Sequence, residues 1–402
     1  MSTEKIKYSC RKYTLHLSLY YNHKIMYENR IAVSIMFFVN GFMFSNWVAR
    51  MPEIQALYGL NEFALGLVLL TSAVGALIAM PFAGWFATRF GSYKITGYCA
   101  LGFCFFVPFV PILHYAWALS IMLFMFGLVG GAMDVSMNEQ AVLVEKQYKK
   151  SIMSSFHAVF SIGTALGAGV GALFTHYEIP LFSHFTTISI FSFLITLYGV
   201  KDLVRVPLQQ VKDAEGVSIM FPSKAILPLG IIAFCGMTGE GSLSDWSAIY
   251  LTKVLNSKGD IAALGFVSFA SAMTIGRIFG DYTLNHFGKR KVLIFSSLCA
   301  FMGLSIALGF LYLPAVFIGF FLVGLGLANV VPVIYSTAGN TEGVAPSVGI
   351  AMATTIGYAG FFIGPPLIGF LGKSYGLRTG LCFTLFLFMV MFVLVLFILR
   401  KK

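Results

Sequence analysis

The sequence predicts an all-α membrane protein: twelve transmembrane helices arranged as two similar six-helix halves. Three observations predict it. Hydrophobic residues make up 58% of the 402-residue chain and charged residues only 11%, where a soluble domain sits nearer half and a quarter. Apolar stretches long enough to span a bilayer, about 20 residues each, return along the whole chain. The chain also repeats itself. Ser45-Asn46-Trp47-Val48-Ala49 recurs as Ser244-Asp245-Trp246-Ser247-Ala248, 199 residues later. The same offset pairs Leu65-Gly66 with Leu264-Gly265 and Ser72-Ala73 with Ser271-Ala272, and Phe90-Gly91 pairs with Phe287-Gly288 at 197.

The expected spans, in order, are 31–50, 62–86, 95–113, 117–143, 152–175 and 181–200 in the first half, then 225–251, 261–284, 291–311, 314–337, 347–372 and 377–399 in the second. Hydrocarbon offers the backbone no hydrogen-bond partners, so each span must be helical; the alternation of barrel strands is absent. Residues 1–30 read as a cytoplasmic N-terminal segment, 31–200 as one six-helix bundle, 201–224 as a polar central loop and 225–402 as the second bundle. Gly163, Gly167 and Gly171 fall at i, i+4, i+8, and Gly360, Gly364, Gly369 and Gly372 crowd the eleventh span. Such faces allow close helix packing or sliding. Trp85, Trp117, Trp47 and Trp246 lie near span ends, where an interfacial belt places aromatics.

The net charge of +11 is distributed with a bias. Six Lys and Arg precede residue 31, and Arg89, Lys94, Lys146, Lys149, Lys150, four residues of the central loop, Lys289, Arg290, Lys291 and the last three residues all fall on one side. Only Arg50, Lys253, Lys258, Lys373 and Arg378 fall on the other, and Arg277 remains, away from the ends of its span. Positive charge collects inside, which puts both termini in the cytoplasm and argues against nucleic acid as the partner. The cysteines, Cys10, Cys99, Cys104, Cys235, Cys299 and Cys382, show no metal-ligand or redox spacing. No metal site and no cofactor are expected. No cleaved signal is legible at the N-terminus, and Met26 is an alternative start.

Ionisable groups inside a membrane are costly and face a cavity or a partner, so the few in the spans are the functional candidates. Asp134 and Asn138 share one face of the fourth span, one turn apart. A carboxyl there can hold and release a proton, or it can be a neutral acid bonded to a neighbouring helix. His157 in the fifth span lies at similar depth; it reads as a proton relay or as a structural histidine. Glu139, near the inner end of the fourth span and close to Lys146, reads as a gate or as an interfacial residue. Glu240 stands near the midplane of the seventh span between Gly239 and Gly241. Asp245 stands nearer the outside, a candidate partner for Arg50 or Lys253 in an outer gate. Asn40, Phe44 and Trp47 share one face of the first span; amides bond hydroxyls and rings stack on sugar faces, although both also suit helix packing. Asn329 in the tenth span roughly corresponds to Asp134. Arg277 stands one turn before Asp281, which predicts a mutual ion pair at the inner end and a neutral or zwitterionic substrate.

Two stretches carry a resemblance. Gly84-Trp85-Phe86-Ala87-Thr88-Arg89-Phe90-Gly91-Ser92-Tyr93-Lys94 resembles the major facilitator superfamily motif Gly-x-x-x-Asp-Arg-x-Gly-Arg-Arg/Lys, with Thr88 in place of the Asp. A looser copy runs from Gly280-Asp281 to Phe287-Gly288-Lys289-Arg290-Lys291. The resemblance implies the two-bundle fold of that superfamily and a gating or structural role for Arg89 and Gly91. Asp134-Val135-Ser136-Met137-Asn138, Ser155-Phe156-His157 and Phe37-Phe38-Val39-Asn40-Gly41-Phe42 are similar to its fucose-permease branch. That branch carries sugars with protons through an acid in the fourth helix. Where it places an Asp in the first helix, this chain has Val48. The Arg and Gly-Pro expected of proton-coupled drug antiporters are Leu123 and Gly167-Ala168 here.

The expectation is a secondary transporter, not an enzyme, in the inner membrane. It moves a small polar solute such as a sugar or polyol by proton symport, and its partners are the solute, protons and the lipid bilayer, with the chain acting as a monomer. Its site lies between spans of the two halves, which rock to give alternating access. The alternatives are proton-coupled export of drugs or metabolites and, from another class, an intramembrane sensor or enzyme, for which no nucleophile–base or phosphate-loop motif is present.

Overall fold

The computed structural model describes residues 3–60, 62–205, 223–257 and 259–398. Lys212, Asp213 and Glu215 of the central loop, Lys258 and the last three basic residues lie outside the described residues. The first half comprises α1 (Thr3–Ala49), the short α2 (Met51–Leu57), α3 (Glu62–Phe90), α4 (Ser92–Phe106), α5 (Ala116–Tyr148), α6 (Met153–His176) and α7 (Leu181–Val200). The second comprises α8 (Leu227–Leu255), α9 (Gly259–Ile278), α10 (Gly280–Phe287), α11 (Lys289–Gly309), α12 (Leu313–Leu327), α13 (Val330–Ala338), α14 (Pro346–Tyr375) and α15 (Leu377–Ile398). Ten helical stretches are long and apolar enough to cross a membrane, and there are no strands among the described residues. At the seventh expected span α8 carries Glu240 and Asp245, and at the eighth the apolar stretch is short, Leu264–Ile278.

Four boundaries differ from the sequence expectation, each for a local reason. α1 begins at Thr3, so the segment before residue 31 is helical, and its membrane-length apolar part already starts at Lys24. The third span ends in a tight 3-10 turn, Val107–Ile112, because Pro108 and Pro111 cannot donate to a continuing α-helix. The eighth breaks at Phe279, so Arg277 and Asp281 sit in different helices. The tenth breaks at Ala328-Asn329, three residues ahead of Pro332.

The internal repeat is visible in the backbone. Gly91 and Gly288, the matched glycines of the two motif copies, precede α4 and α11 with φ of +90° and +81°. A side chain at either would be strained in that region. The other glycines identified in the sequence pack within one half. Gly163, Gly167 and Gly171 bring α6 against Phe38, Phe42 and Ala49 of α1, and Gly360 and Gly364 bring α14 against Thr238 of α8.

Among the described residues, the contacts between the halves gather towards one end. The larger buried cluster is continuous from Val142, Ile152 and Phe156 of the first half to Ile334, Ala338 and Ile350 of the second. The smaller one, built around Trp47, Ile54, Leu119 and Phe185, belongs wholly to the first half. Four polar links close the shared end. Thr88 and Ser347 place their hydroxyls 2.7 Å apart. The Ser151 N–H donates to Asn285 Oδ1 at 2.9 Å, and Asn285 Nδ2 donates back to the Ser151 carbonyl at 2.7 Å. The Ser155 N–H donates to Asp281 Oδ1 at 3.1 Å, and the Ser336 hydroxyl donates to Glu145. Two glycines permit this approach: a Cβ on Gly84 would lie 2.6 Å from Ala351 Cβ, and one on Gly280 would lie 2.5 Å from Ser154 Cβ. Gly84 and Gly280 open the two motif copies, so the repeat supplies a matched glycine to each side of the seam. At the other end Phe44 and Val48 of α1 and Ile249 of α8 are exposed.

Candidate functional site

Where the seam ends, polar side chains from both halves converge. The first half supplies α5 and α6. Asn138 is fully buried and bonds three ways: Nδ2 donates to the Asp134 carbonyl at 2.8 Å and to Asp134 Oδ1 at 3.3 Å, and Oδ1 faces His157 Nε2 at 3.2 Å. The 3.6-residue period places Asn138 over Asp134, and the α5–α6 turn brings His157 alongside. Phe37 meets the His157 ring edge-on at 5.3 Å.

The second half supplies two tyrosines absent from the sequence expectation. The Tyr358 hydroxyl of α14 lies beside the Asp134 carboxyl without closing a full hydrogen bond, and Asp134 Oδ2 stays buried with no partner. Tyr335 of α13 is 1% exposed, with its ring 6.2 Å from His157 and its hydroxyl unpartnered in the same region. A buried polar atom without a partner costs free energy. Two of them, one from each half, lie in the same buried region.

A second group adjoins this one. Arg277 of α9 is 7% exposed. Its guanidinium donates to Ser161 Oγ at 2.9 Å and to the Ala328 carbonyl at 3.4 Å, and lies 3.7 Å from Glu240 Oε1. Ser161 in turn donates to the His157 carbonyl at 3.1 Å, so the two groups are joined through one turn of α6. The expected Arg277–Asp281 pair does not form: the helix break at Phe279 turns them apart. Asp281 instead accepts from the third residue of α6, across the seam, as an N-cap would. Asp281 lies beyond the apolar stretch, and burial pushes its carboxyl up to about 6, against the downward pull of the Ser155 hydrogen bonds and of Arg30.

The remaining candidates scatter. Asn40 points its amide at Met137 Sδ, 3.5 Å away. Phe44 is 47% exposed one turn further along α1, whereas Trp47 is 5% exposed and packs on Phe185 inside the first half. The three therefore do not present one common face. Asn329 sits at the α12–α13 break, where Nδ2 donates to the Gly276 carbonyl at 3.0 Å. Asp245 is exposed and forms no ion pair with Arg50 or Lys253 among the described residues. Arg50 is instead buried in the first half, bonded to Glu53 at 2.5 Å, the Ile179 carbonyl at 2.8 Å and His184 Nδ1 at 3.2 Å. His184 Nε2 faces Asn46 Oδ1 at 2.9 Å. Asn46 and Asp245 are matched by the repeat yet occupy opposite environments. Arg89 stacks its guanidinium over Trp85, 5.3 Å from the ring centre. Glu139 is buried, and the next residue, Gln140, holds the Val204 backbone through its carboxamide.

Two similar helical bundles, joined along one end and parted at the other, with an incompletely bonded polar cluster where they part, define a membrane carrier. A family model described as Major Facilitator Superfamily matches residues 33–341 and again 229–402, and the chain belongs to that superfamily. An uncharacterized MFS-type transporter of Yersinia pestis is 35% identical over 347 residues, 86% of this chain and 89% of the relative. Among solved structures, the E. coli fucose:proton symporter FucP, in its outward conformation, matches with a TM-score of 0.74 at 16% identity over 92% of this chain and 98% of its own. The human organic anion transporter MFSD10 matches at 0.75 and 15% identity over 92% and 99%. Likeness at these identities carries the fold alone. The chain is an integral, multi-pass membrane transporter and not an enzyme.

Proposed function

We propose that this protein imports a small polar solute, of the sugar or polyol class, together with a proton, by alternating access between its two halves in a bacterial inner membrane. The observation that carries the reading is the Asp134 carboxyl: one oxygen is held by Asn138, the other is unpartnered, and the Tyr358 hydroxyl of the opposite half lies beside it. A carboxyl that touches both halves can make its protonation state depend on which end is open, and that dependence is the requirement for coupling. In this reading Asp134 carries the proton, and His157 and Asn138 position it. Asn40, Phe44 and the two tyrosines line the path of the solute, Glu240 answers Arg277, and Asp281 with Gly84 and Gly280 shapes the seam. The basic-inside bias assigns the joined end and both termini to the cytoplasm, so the structure is outward-open. The solved FucP supports the reading as a proton-coupled sugar carrier of the same fold in its outward conformation.

One observation favours a second reading. Arg277 is held by Glu240 at 3.7 Å rather than tightly capped by Asp281, so a carboxylate on the solute could replace Glu240. MFSD10, an organic anion transporter, shares the fold. The test is proton flux in proteoliposomes over a panel of sugars, polyols, amino acids and organic anions, with Asp134→Asn in parallel. Solute-driven alkalinisation of the medium that disappears in Asp134→Asn supports symport. Transport with unchanged proton flux in the variant removes Asp134 from the role.

A further inference from the structure

An open polar depression of about 300 Å³ lies on the joined end, lined by Glu145, Ser151 and the exposed Lys146, Lys149 and Lys150 of the first half and by Asn285 and Asn340 of the second. Its one carboxylate is already engaged: Glu145 Oε2 accepts from the Ile152 and Met153 N–H groups at 3.0 and 3.2 Å, and Oε1 accepts from Ser336. None of the three lysines lies within 4 Å of a carboxylate among the described residues, although Lys146 is near enough to Glu139 to act on its charge. Lys149 also adopts φ of +51°, a left-handed conformation in which helices ordinarily end on glycine or asparagine. Asn285 is locked by Ser151, and Asn340 Nδ2 donates to the Ser336 carbonyl at 2.7 Å. The result is an electropositive hollow, open to solvent, whose asparagines are held by backbone groups.

We propose that this hollow binds an anionic phosphate group and that its occupancy holds the joined end shut. Three ammonium groups suit a phosphate as point charges. Both halves contribute walls, so the site is whole only while α5–α6 and α10 touch. A ligand that binds one state and not the other stabilises it by its differential affinity. The phosphate can come from a free phosphate-bearing solute or from the headgroup of an anionic lipid; the recognising chemistry is the same. This inference rests on the alternating-access reading.

The test uses the full chain with spin labels at Val48→Cys and Ile249→Cys, in a background free of its native cysteines, so that the distance between α1 and α8 reports whether the outer end is open. The chain is placed in phosphatidylcholine nanodiscs with or without inorganic phosphate at constant ionic strength, and separately in nanodiscs containing phosphatidylglycerol. The expected result is a severalfold rise in the outer-open population with one of the two probes. Phosphate in solution identifies a soluble ligand, and an effect confined to phosphatidylglycerol identifies the lipid. Lys146→Gln, Lys149→Gln and Lys150→Gln together should abolish it, and Lys149→Gly alone, which keeps a favoured backbone, should weaken it. The proposal is overturned if neither probe shifts the population, if chloride does as well as phosphate, or if the triple variant still responds. Gly84→Ala separates this from the parent reading: if it moves the distance while the anions do not, alternation stands and the anion site falls.

Discussion

Replacing Gly84 with alanine should drive the joined end apart. The added Cβ would lie 2.6 Å from Ala351 Cβ and 3.0 Å from the Ser347 carbonyl oxygen, where carbon–carbon contacts settle at about 3.5–4.0 Å. The deficit is roughly 1 Å, and neither neighbour is a side chain that can rotate away. Overpacking of this kind costs about 1–3 kcal/mol. The cost applies only while α3 and α14 touch, so it shifts the balance between closed and open seam by roughly 5- to 150-fold. The assay is the distance distribution between labels at Val48→Cys and Ile249→Cys. The outer-open peak should shrink in favour of a shorter distance, while solute-dependent proton uptake slows. Gly169→Ala is the control, because nothing lies within 4 Å of its added Cβ, and it should match the parent. An unchanged distribution in a Gly84→Ala protein with unchanged melting would refute the claim that this glycine sets the approach of the halves.

Three further outcomes follow from the geometry. Because burial raises the Asp281 carboxyl from 3.8 to about 6 in the joined state, its contribution to closure is complete below pH 4 and is lost as pH rises through 6. Arg30 and Glu145 face the same group with opposite effects. The parent's outer-open population should fall between pH 5 and 7, while Asp281→Asn, which keeps the acceptor for Ser155, should stay flat at the low-pH level; parallel curves would exclude Asp281 as the source. Glu240→Gln leaves the buried Arg277 without its counter-charge, so uptake should fall at least tenfold and the melting temperature should drop. Adding Arg277→Met should recover stability without recovering transport, and full uptake by Glu240→Gln would remove the pair from the site. Arg50→Leu strands the Ile179 carbonyl and His184 inside the first half. Breaking a buried pair costs about 3–5 kcal/mol, and the partial exposure of Glu53, at 38%, lowers the expectation to the bottom of that range. A melt in detergent that stays within a degree of the parent would contradict it.

Much was legible because the bilayer imposes strong rules. Apolar length and the basic-inside bias follow from the cost of exposing charge or backbone to hydrocarbon, and with the repeat they pointed to a helical membrane protein of the two-bundle fold. The Asp134–Asn138 contact was legible too, because i and i+4 on one helix must meet whatever surrounds them. His157 stood out as a titratable ring among apolar neighbours. Tyr335 and Tyr358 did not, since this chain carries 18 tyrosines and 41 phenylalanines and an aromatic in a span is ordinarily packing. A polar tip beside small residues, as in Gly357-Tyr358-Ala359-Gly360, was the available signal.

Helical period fixes angles within a helix but not the rotation of that helix against its neighbours. For this reason Phe44 and Trp47, grouped on one face by counting, separate into an exposed ring and a core ring once α1 packs on α6 and α7. Arg50, counted as one loop charge among several, becomes a buried anchor because α7 brings His184 to it. Arg277 meets Glu240 instead of Asp281 because a helix break at Phe279 separates Arg277 and Asp281 into different helices. The sequence by itself determined the class and its helical, membrane-spanning character, since both depend on local composition and on the membrane as solvent. Only the tertiary structure decided which polar groups face each other, and at which end the halves join, because those depend on contacts between helices far apart in the chain.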